Sequence, residues 1–451
     1  MHRTSNSLGE LMKTTEAQCG VTRYAYDAAG NPIVIEDAAE HKIFANYDNI
    51  GRKLWVRDPN QGLTQFTYND FGELEKEVDA NYHWQRYDYD KLGRVKVRSS
   101  SNGNASFTWD TKKKGYLSSE SSLGVSKTYT YDSLARPIEE STQIDGSIYK
   151  ISTEYDSYQG RPKSLTYPNG LKVAFQYNPY GYLQYEKNAR SGYVYREITA
   201  TDNLGNVTGS KISDGILTGA YTYNQRTGQM LSTKVDKNIN TIHQLAYSDY
   251  DSYGNIKTQQ NLVNNINSTD SFAYDNMHRM MASTISASGY SASINYGYDL
   301  VGNMKKKTDY SVNSMGAYSY INGTNKLASV ILMNGSTETF GYDSKGNLTK
   351  RNNSQEAWYN VLNKPTRIQR LGSDVTLFYD SNWSRYKQVK IVNNQTTTTH
   401  YIGKLYEVEK TGNISKTTSY ISDIALITEG NAGNKIRFTH KDRLGSSTTF
   451  T

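Results

Sequence analysis

Apolar and aromatic residues in this chain fall at every second position over short stretches, and polar turn residues separate the stretches. Leu63-Thr64-Gln65-Phe66-Thr67-Tyr68 and Ser126-Lys127-Thr128-Tyr129-Thr130-Tyr131 alternate Thr, Tyr and Phe with period two. That is the signature of half-buried β-strands. Each stretch runs into one six-residue pattern, Tyr-Asp/Asn-x-x-Gly-Arg/Asn. Copies begin Tyr26-Asp27 (with Gly30), Tyr47-Asp48 (Gly51), Tyr68-Asn69 (Gly72), Tyr89-Asp90 (Gly93) and Tyr177-Asn178 (Gly181). Others begin Tyr250-Asp251 (Gly254), Tyr298-Asp299 (Gly302) and Tyr342-Asp343 (Gly346). The first four starts are 21 residues apart. A fixed period of this size means one supersecondary unit copied along the chain.

The pattern reads as a turn. Type I turns favour Asp or Asn first and Gly fourth. Gly accepts the left-handed conformation that closes a hairpin with a bulge. Gly30, Gly51, Gly93 and Gly254 are therefore expected at positive φ. Gly51→Val is expected to cost more than Gly209→Val, because Gly209 lies outside the pattern. About ten residues after each copy a second turn follows, such as Asp58-Pro59-Asn60-Gln61-Gly62, Asp145-Gly146, Asn169-Gly170, Asp214-Gly215 or Asn334-Gly335. All seven prolines lie in or beside turns, as their exclusion from sheet interiors requires.

Some copies drift. Tyr131-Asp132 reaches Ala135 where Gly is expected, and Tyr274-Asp275 reaches His278. Asn261–Asn267 reads as a polar loop. The fold class is all-β: a long antiparallel meander of hairpins coiling into a curved sheet or partial hollow shell. On the order of 35 strands at about 4.8 Å each would make a ribbon of roughly 160 Å, enough to wrap a cavity about 50 Å across once. Residues 1–23 form a lead-in, 24–351 the repeat array and 352–451 a variant end section of the same sheet.

Composition changes little. Lys+Arg 51 against Asp+Glu 44 is a mild balance that does not call for nucleic acid. The 39 tyrosines argue against disorder despite a mean hydropathy of -0.74. The one cysteine, Cys19, reads as an incidental thiol that forms no disulfide within the chain. No stretch reaches the roughly 20 apolar residues of a membrane span, and no secretory signal is present. The histidines show no metal-ligand spacing, so no metal and no cofactor are expected. Asp249-Tyr250-Asp251-Ser252-Tyr253-Gly254 lacks the ligands of a calcium loop and reads as a plain turn. Carboxylates recurring at equivalent turns read as structural, and no nucleophile or phosphate-loop motif occurs. No catalytic residue is assigned.

On these residues the chain resembles the RHS/YD-repeat family: bacterial polymorphic toxin shells, the C components of insecticidal toxin complexes, and teneurins. The string His400-Tyr401-Ile402-Gly403 with Leu405-Tyr406-Glu407, then His440, Asp442, Leu444, Gly445 and Ser446, resembles the bacterial family's core end. The resemblance implies a strip of hairpins spiralling into a shell around a toxic C-terminal polypeptide, in a secreted or cell-surface protein. It implies two partners, that toxin polypeptide and the remainder of the shell. The family's Arg-Asp and Asp-Pro-x-Gly-Leu-type cleavage motifs are absent from these residues, so no self-cleavage is expected. The sequence is expected to be the middle or late part of a longer protein, an incomplete wall that self-associates through open strand edges. The alternative from another class is a carbohydrate-binding or adhesive surface repeat, in which the Tyr and Trp rings stack on glycans. A third, an enzyme hosted on the sheet, has no constellation to support it.

Overall fold

The computed structural model describes residues 1–18, 20–263, 266–352, 354–431 and 433–451. Cys19 lies outside the described residues, so its reading is left where the sequence puts it. The described residues contain 42 strands, 61% of the chain, and no helix. No helix is therefore long and apolar enough to cross a membrane.

Every strand pairs antiparallel with its neighbours in sequence, first in a 28-stranded sheet and then in a 14-stranded one. The break falls between strands Met304–Lys307 and Tyr318–Tyr320, across the irregular connection 308–317. At residue 352 the sheet is continuous, because Arg351 pairs with Gln355. Residues 1–23 already hold a hairpin of the same kind, with Asn6 and Gly9 in its turn.

The strand count exceeds the sequence expectation because turns without the tyrosine close hairpins equally well. Asn261–Asn267 is not a loop: strand Ile256–Val263 runs into it and strand Ile266–Tyr274 runs out, with residues 264 and 265 outside the described set. Prolines 32, 137, 162 and 365 each open a strand, where no ladder donor is lost.

The strip coils back onto itself. Gln18, between the second and third strands, bonds Asp275, between the twenty-fifth and twenty-sixth. Twenty-three strands also separate Asn81 from Asp343 and Asn102 from Val361, and twenty-two separate Asp145 from His400 and Tyr167 from Tyr420. Near the chain's end the circuit shortens to eighteen strands, where Tyr247 meets Arg443. Twenty-three strands at about 4.8 Å make a circumference of roughly 110 Å, about 35 Å across at the backbone. The coil is tighter than the 50 Å single wrap expected from the sequence, so later strands overlap the first ones along a seam.

The wall is thin. The chain exposes 25363 Å², about one and a half times the roughly 17,000 Å² of a solid monomer of this mass. Its main apolar core lies along the later half of the seam, where Val125, Ile144, Tyr167 and Val173 of the first circuit pack against Tyr386, Ile402, Ile421 and Phe438 of the second.

Candidate functional site: the turn ladder and the seam

Each residue of the repeated pattern has one job in carrying the strip forward. Asp90 Oδ1 accepts the backbone N–H of Leu92 (2.9 Å) and of Arg94 (3.0 Å), while the Gly93 N–H donates to the Asp90 carbonyl. Asp90 Oδ2 accepts from Arg94 Nε at 2.7 Å. The Arg94 side-chain hydrogen bond, with the backbone donors, holds the Asp90 carboxyl below the usual carboxylate range. At the equivalent turn, Arg161 brings Asp156 down to about 2. Pairing skips one residue beside each pattern tyrosine, as between Ala25 and Tyr26, so the turn closes with a bulge. Gly30, Gly51, Gly93 and Gly254 all have positive φ, as the sequence requires.

The tyrosine and arginine link one copy to the next. The Tyr68 hydroxyl donates to the Lys53 carbonyl (2.9 Å), and Tyr89 does the same to Leu74 (2.8 Å). Tyr26, Tyr131, Tyr177, Tyr250, Tyr274 and Tyr298 repeat the bond. Trp109 substitutes its indole N–H, which donates to the Val95 carbonyl at 2.9 Å. Each arginine then covers the next ring: Arg52 over Tyr68 at 4.8 Å, Arg136 over Tyr155 at 4.4 Å, Arg161 over Tyr177 at 4.1 Å and Arg279 over Tyr298 at 4.8 Å. The copies are therefore coupled through side chains as well as through the strand ladder.

Two substitutions separate these contributions. Asp90→Ala removes two backbone caps and an ion pair and is expected to lower the urea midpoint. Asp90→Asn keeps the Oδ1 acceptor, as Asn69 and Asn178 do in their own copies, and is expected to lower it distinctly less. Urea unfolding of the two variants checks this; equal losses would assign the effect to the charge rather than the caps.

The seam joins opposite edges of the strip. The second kind of turn, in the first circuit, faces the Tyr-Asp turns of the second. Asn81 Nδ2 donates to Asp343 Oδ2 (3.0 Å), and the Ser344 N–H donates to Asn81 Oδ1 (3.1 Å). The Val361 N–H donates to Asn102 Oδ1 (2.9 Å), and the Arg443 N–H to the Tyr247 hydroxyl (2.9 Å). In all three Tyr-Asp turns the donor is the residue just after the Asp or Asn, whose N–H the turn itself leaves free. Gly346 sits so close that a Cβ there would lie 2.4 Å from the Asn60 carbonyl oxygen.

Buried charge gathers farther along. Lys127 Nζ lies 2.6 Å from Asp380 and 3.6 Å from Glu120, and both carboxylates are buried. Asn382 Nδ2 reaches both oxygens of Glu120 (3.0 and 2.8 Å), and Arg98 covers the Trp383 ring at 4.5 Å. Burial pushes the Tyr129 hydroxyl up, and the adjacent Glu120 adds to the shift. His400 bonds Tyr149 (2.9 Å) and Asp145 (3.1 Å) across the same seam. His243 and His440 stack with ring centroids 5.7 Å apart. Among the described residues no three His, Cys, Asp or Glu side chains gather as metal ligands would.

The sequence-assigned residues thus serve as turns, and the core-end residues prove to be one more copy. Asp442 Oδ1 accepts from the Leu444 and Ser446 N–H groups, and Gly445 has φ 85°. Asp251 likewise caps Tyr253 and Asn255, a turn with no calcium-loop geometry. Tyr342 and Asp343, Asp27, Asp48, Asp132, Asp275 and Asp299 occupy matching positions, and Gly72, Gly181 and Gly302 all have positive φ. Sequence reasoning missed the seam acceptors Gln18, Asn60, Asn81 and Asn102. Their only signal is an amide side chain at or beside the second kind of turn. Gly209 is also tighter than expected. A Cβ there would meet Thr199 Oγ1 at 2.7 Å, so it is no neutral control for Gly51.

No family model and no curated protein matches this sequence. Solved structures do. The crystal structure of TcdB2-TccC3 without its hypervariable C-terminal region matches with TM-score 0.84 at 13% identity, over 99% of this chain and 27% of that one. TcdB2-TccC3 itself matches with TM-score 0.82 at 14% identity, over 99% and 27%. The Photorhabdus luminescens Tc holotoxin pore matches with TM-score 0.81 at 13% identity, over 99% and 26%. The chain therefore spans about a quarter of the length of the chains it matches. At this identity the likeness establishes the fold: a long antiparallel hairpin strip of the kind these toxin-complex structures contain, in agreement with the RHS/YD-repeat resemblance of the sequence.

Proposed function

We propose that this chain is a wall segment of a secreted or cell-surface toxin shell, one that encloses a C-terminal toxin polypeptide together with the remainder of the shell. The observation that carries this reading is the excess surface of a coiled, single-layered strip whose circuits are sealed to each other. A solid domain of this mass has no use for 25363 Å² of surface, whereas a container needs an inner face. The reading gives the chain no reaction of its own, because its recurring carboxylates are committed to turns and seam contacts. The glycan-binding alternative is the weaker one, since arginines cover the rings of Tyr68, Tyr155, Tyr177 and Tyr298 that a sugar would stack on.

The test attaches a protease-sensitive reporter polypeptide after Thr451. The intact wall is expected to slow its cleavage several-fold relative to the free reporter. A variant with the seam unseated, such as Gly346→Val, is expected to lose that protection. Cleavage at the free-reporter rate in both proteins would overturn the proposal.

A further inference from the structure

We infer that the open rim of Tyr-Asp turns in the first circuit is a docking edge for a second copy of this chain, which seats its own opposite rim there and extends the seam from molecule to molecule. The sealed part of the seam shows what such an edge accepts. Where a circuit lies on the Tyr-Asp turns, three of the turns have one residue between the Asp or Asn and the glycine slot covered: Val361 is 4% exposed, Lys345 8% and Ser381 2%. Along the open rim the stretch between the turn's Asp or Asn and its glycine slot instead carries a large, apolar and bare side chain. Ile50, Phe71, Leu92, Leu134, Tyr158 and Tyr180 are 73–91% exposed there. Adjacent turns on one edge lie two strands apart, so these tips recur about every 10 Å in two runs, Ile50 to Leu92 and Leu134 to Tyr180, with Lys112, Lys113 and Lys114 at the turn between them. The backbone offers the same joint. The N–H that Ser344, Val361 and Arg443 donate across the seam has, at Asp70 and Lys91 on the rim, no acceptor among the described residues.

The matching edge is on the same molecule. The second circuit leaves its own turns of the other kind open, and these carry Met333 at 62% exposure, Leu371 at 99% and Ile414 at 58%, together with amide side chains at Asn334, Asn393 and Asn394. Amides are the groups that seal the first part of the intramolecular seam. One rim thus presents free N–H groups and apolar tips, and the other presents amides and apolar tips. Two different surfaces meeting in this way form a head-to-tail contact, which propagates into stacks rather than stopping at a symmetric dimer. The contact uses turn rims and not the terminal strand edges, and it stands or falls independently of whether the wall encloses a polypeptide.

Sedimentation of three proteins tests it. The wild type is expected to form concentration-dependent dimers and longer stacks. Phe71→Asp with Leu92→Asp blocks one rim, and Met333→Asp with Leu371→Asp blocks the other. All four side chains are well exposed, so circular dichroism is expected to show both variants folded. Each variant alone is expected to be monomeric, and an equimolar mixture is expected to form a heterodimer and nothing larger, since only one joint remains. A wild type that stays monomeric at high concentration overturns the inference. So does self-association that survives either pair of substitutions, or a mixture that stays monomeric.

Discussion

Gly346→Val is expected to lower the stability of this protein by about 3 kcal/mol or more, a larger loss than at any other repeat glycine. Two effects coincide there. Gly346 has φ 81°, which a β-branched residue tolerates poorly, and its Cβ would lie 2.4 Å from the Asn60 carbonyl oxygen on the other side of the seam. Backbone faces backbone, so no side-chain rotation relieves the contact, and the seam must open locally. Gly51 separates the two terms. Its φ is 83°, but its Cβ would meet only the Asn31 side chain at 3.4 Å. Gly51→Val is therefore expected to cost about 1–2 kcal/mol of conformational strain alone. Gly316 is the control, without positive φ and with only Ser314 Oγ at 3.7 Å, and its valine variant is expected to cost less than about 1 kcal/mol. Urea midpoints rank the three. Stacked repeats need not unfold in one step, so midpoints are safer than extrapolated free energies. Gly346→Ala, with the same collision and less strain, keeps the ranking measurable if the valine variant does not fold. A Gly346 effect no larger than that of Gly51 would mean that the circuits do not touch at Asn60.

The contrast between these glycines marks how far the sequence could be read. Most of the local structure was legible, Asn261–Asn267 being the exception, where polar residues lie within paired strands. The turn residues, the strand alternation and the left-handed glycines follow from interactions within six residues, repeated often enough to stand out. The tyrosine was legible as a strand residue but not as a donor to a carbonyl 14 to 20 residues earlier, which becomes visible only once the register is known. The seam was not legible, because its partners are more than 190 residues apart and the contacts change along it, from the amides Gln18, Asn60, Asn81 and Asn102 to Tyr167 and His243. An amide at a turn is too common in this chain to mark a long-range contact. Trp383 is the clearest case. It takes the glycine slot of its turn with φ 59°, which its backbone disfavours, and its ring lies under Arg98 of the other circuit. The long-range contact accompanies a residue that a local rule rejects. Gly209 is the reverse: it looked idle because it lies outside the pattern, yet the strand opposite crowds it.

Acidification from pH 7 to pH 4 is expected to open the last section of the seam while the early section holds. His243, from the strand Asn240–Tyr250, and His440, from the strand Lys435–Lys441, are 1% and 3% exposed and stack on each other across the joint. Burial, with the facing His243 adding to it, lowers the pKa of His440 to about 4. His243 is lowered by burial, partly offset by its bond with the Lys441 backbone. Thr449 bonds His243 Nδ1, Thr451 bonds His440 Nε2, and the ammonium of the nearby Lys441 is paired with Asp423 at 3.3 Å. Both rings are neutral in the closed seam and must charge when it opens. The open state then binds more protons, so stability is fully present above the ordinary histidine value of 6.5 and is lost as pH falls from there toward 4. For His440 alone that displacement corresponds to roughly 3 kcal/mol. The cavity of about 190 Å³ against His440, which Arg196 and Asp423 also line, gives water a route to the ring. The early seam has no such pair: Gln18, Asn81 and Asn102 seal it with amides, and of their carboxylate partners Asp275, despite its burial, is held below the usual carboxylate range by hydrogen bonds from Arg279. Hydrogen exchange followed against pH reads both ends at once. Protection of strands 435–441 and 240–250 is expected to fall between pH 6.5 and 4, with strands 337–342 and 84–89 unchanged. His243→Phe with His440→Leu is expected to flatten that dependence. Uniform loss across the whole seam, or a pH profile that survives the double substitution, would place the acid-sensitive groups elsewhere.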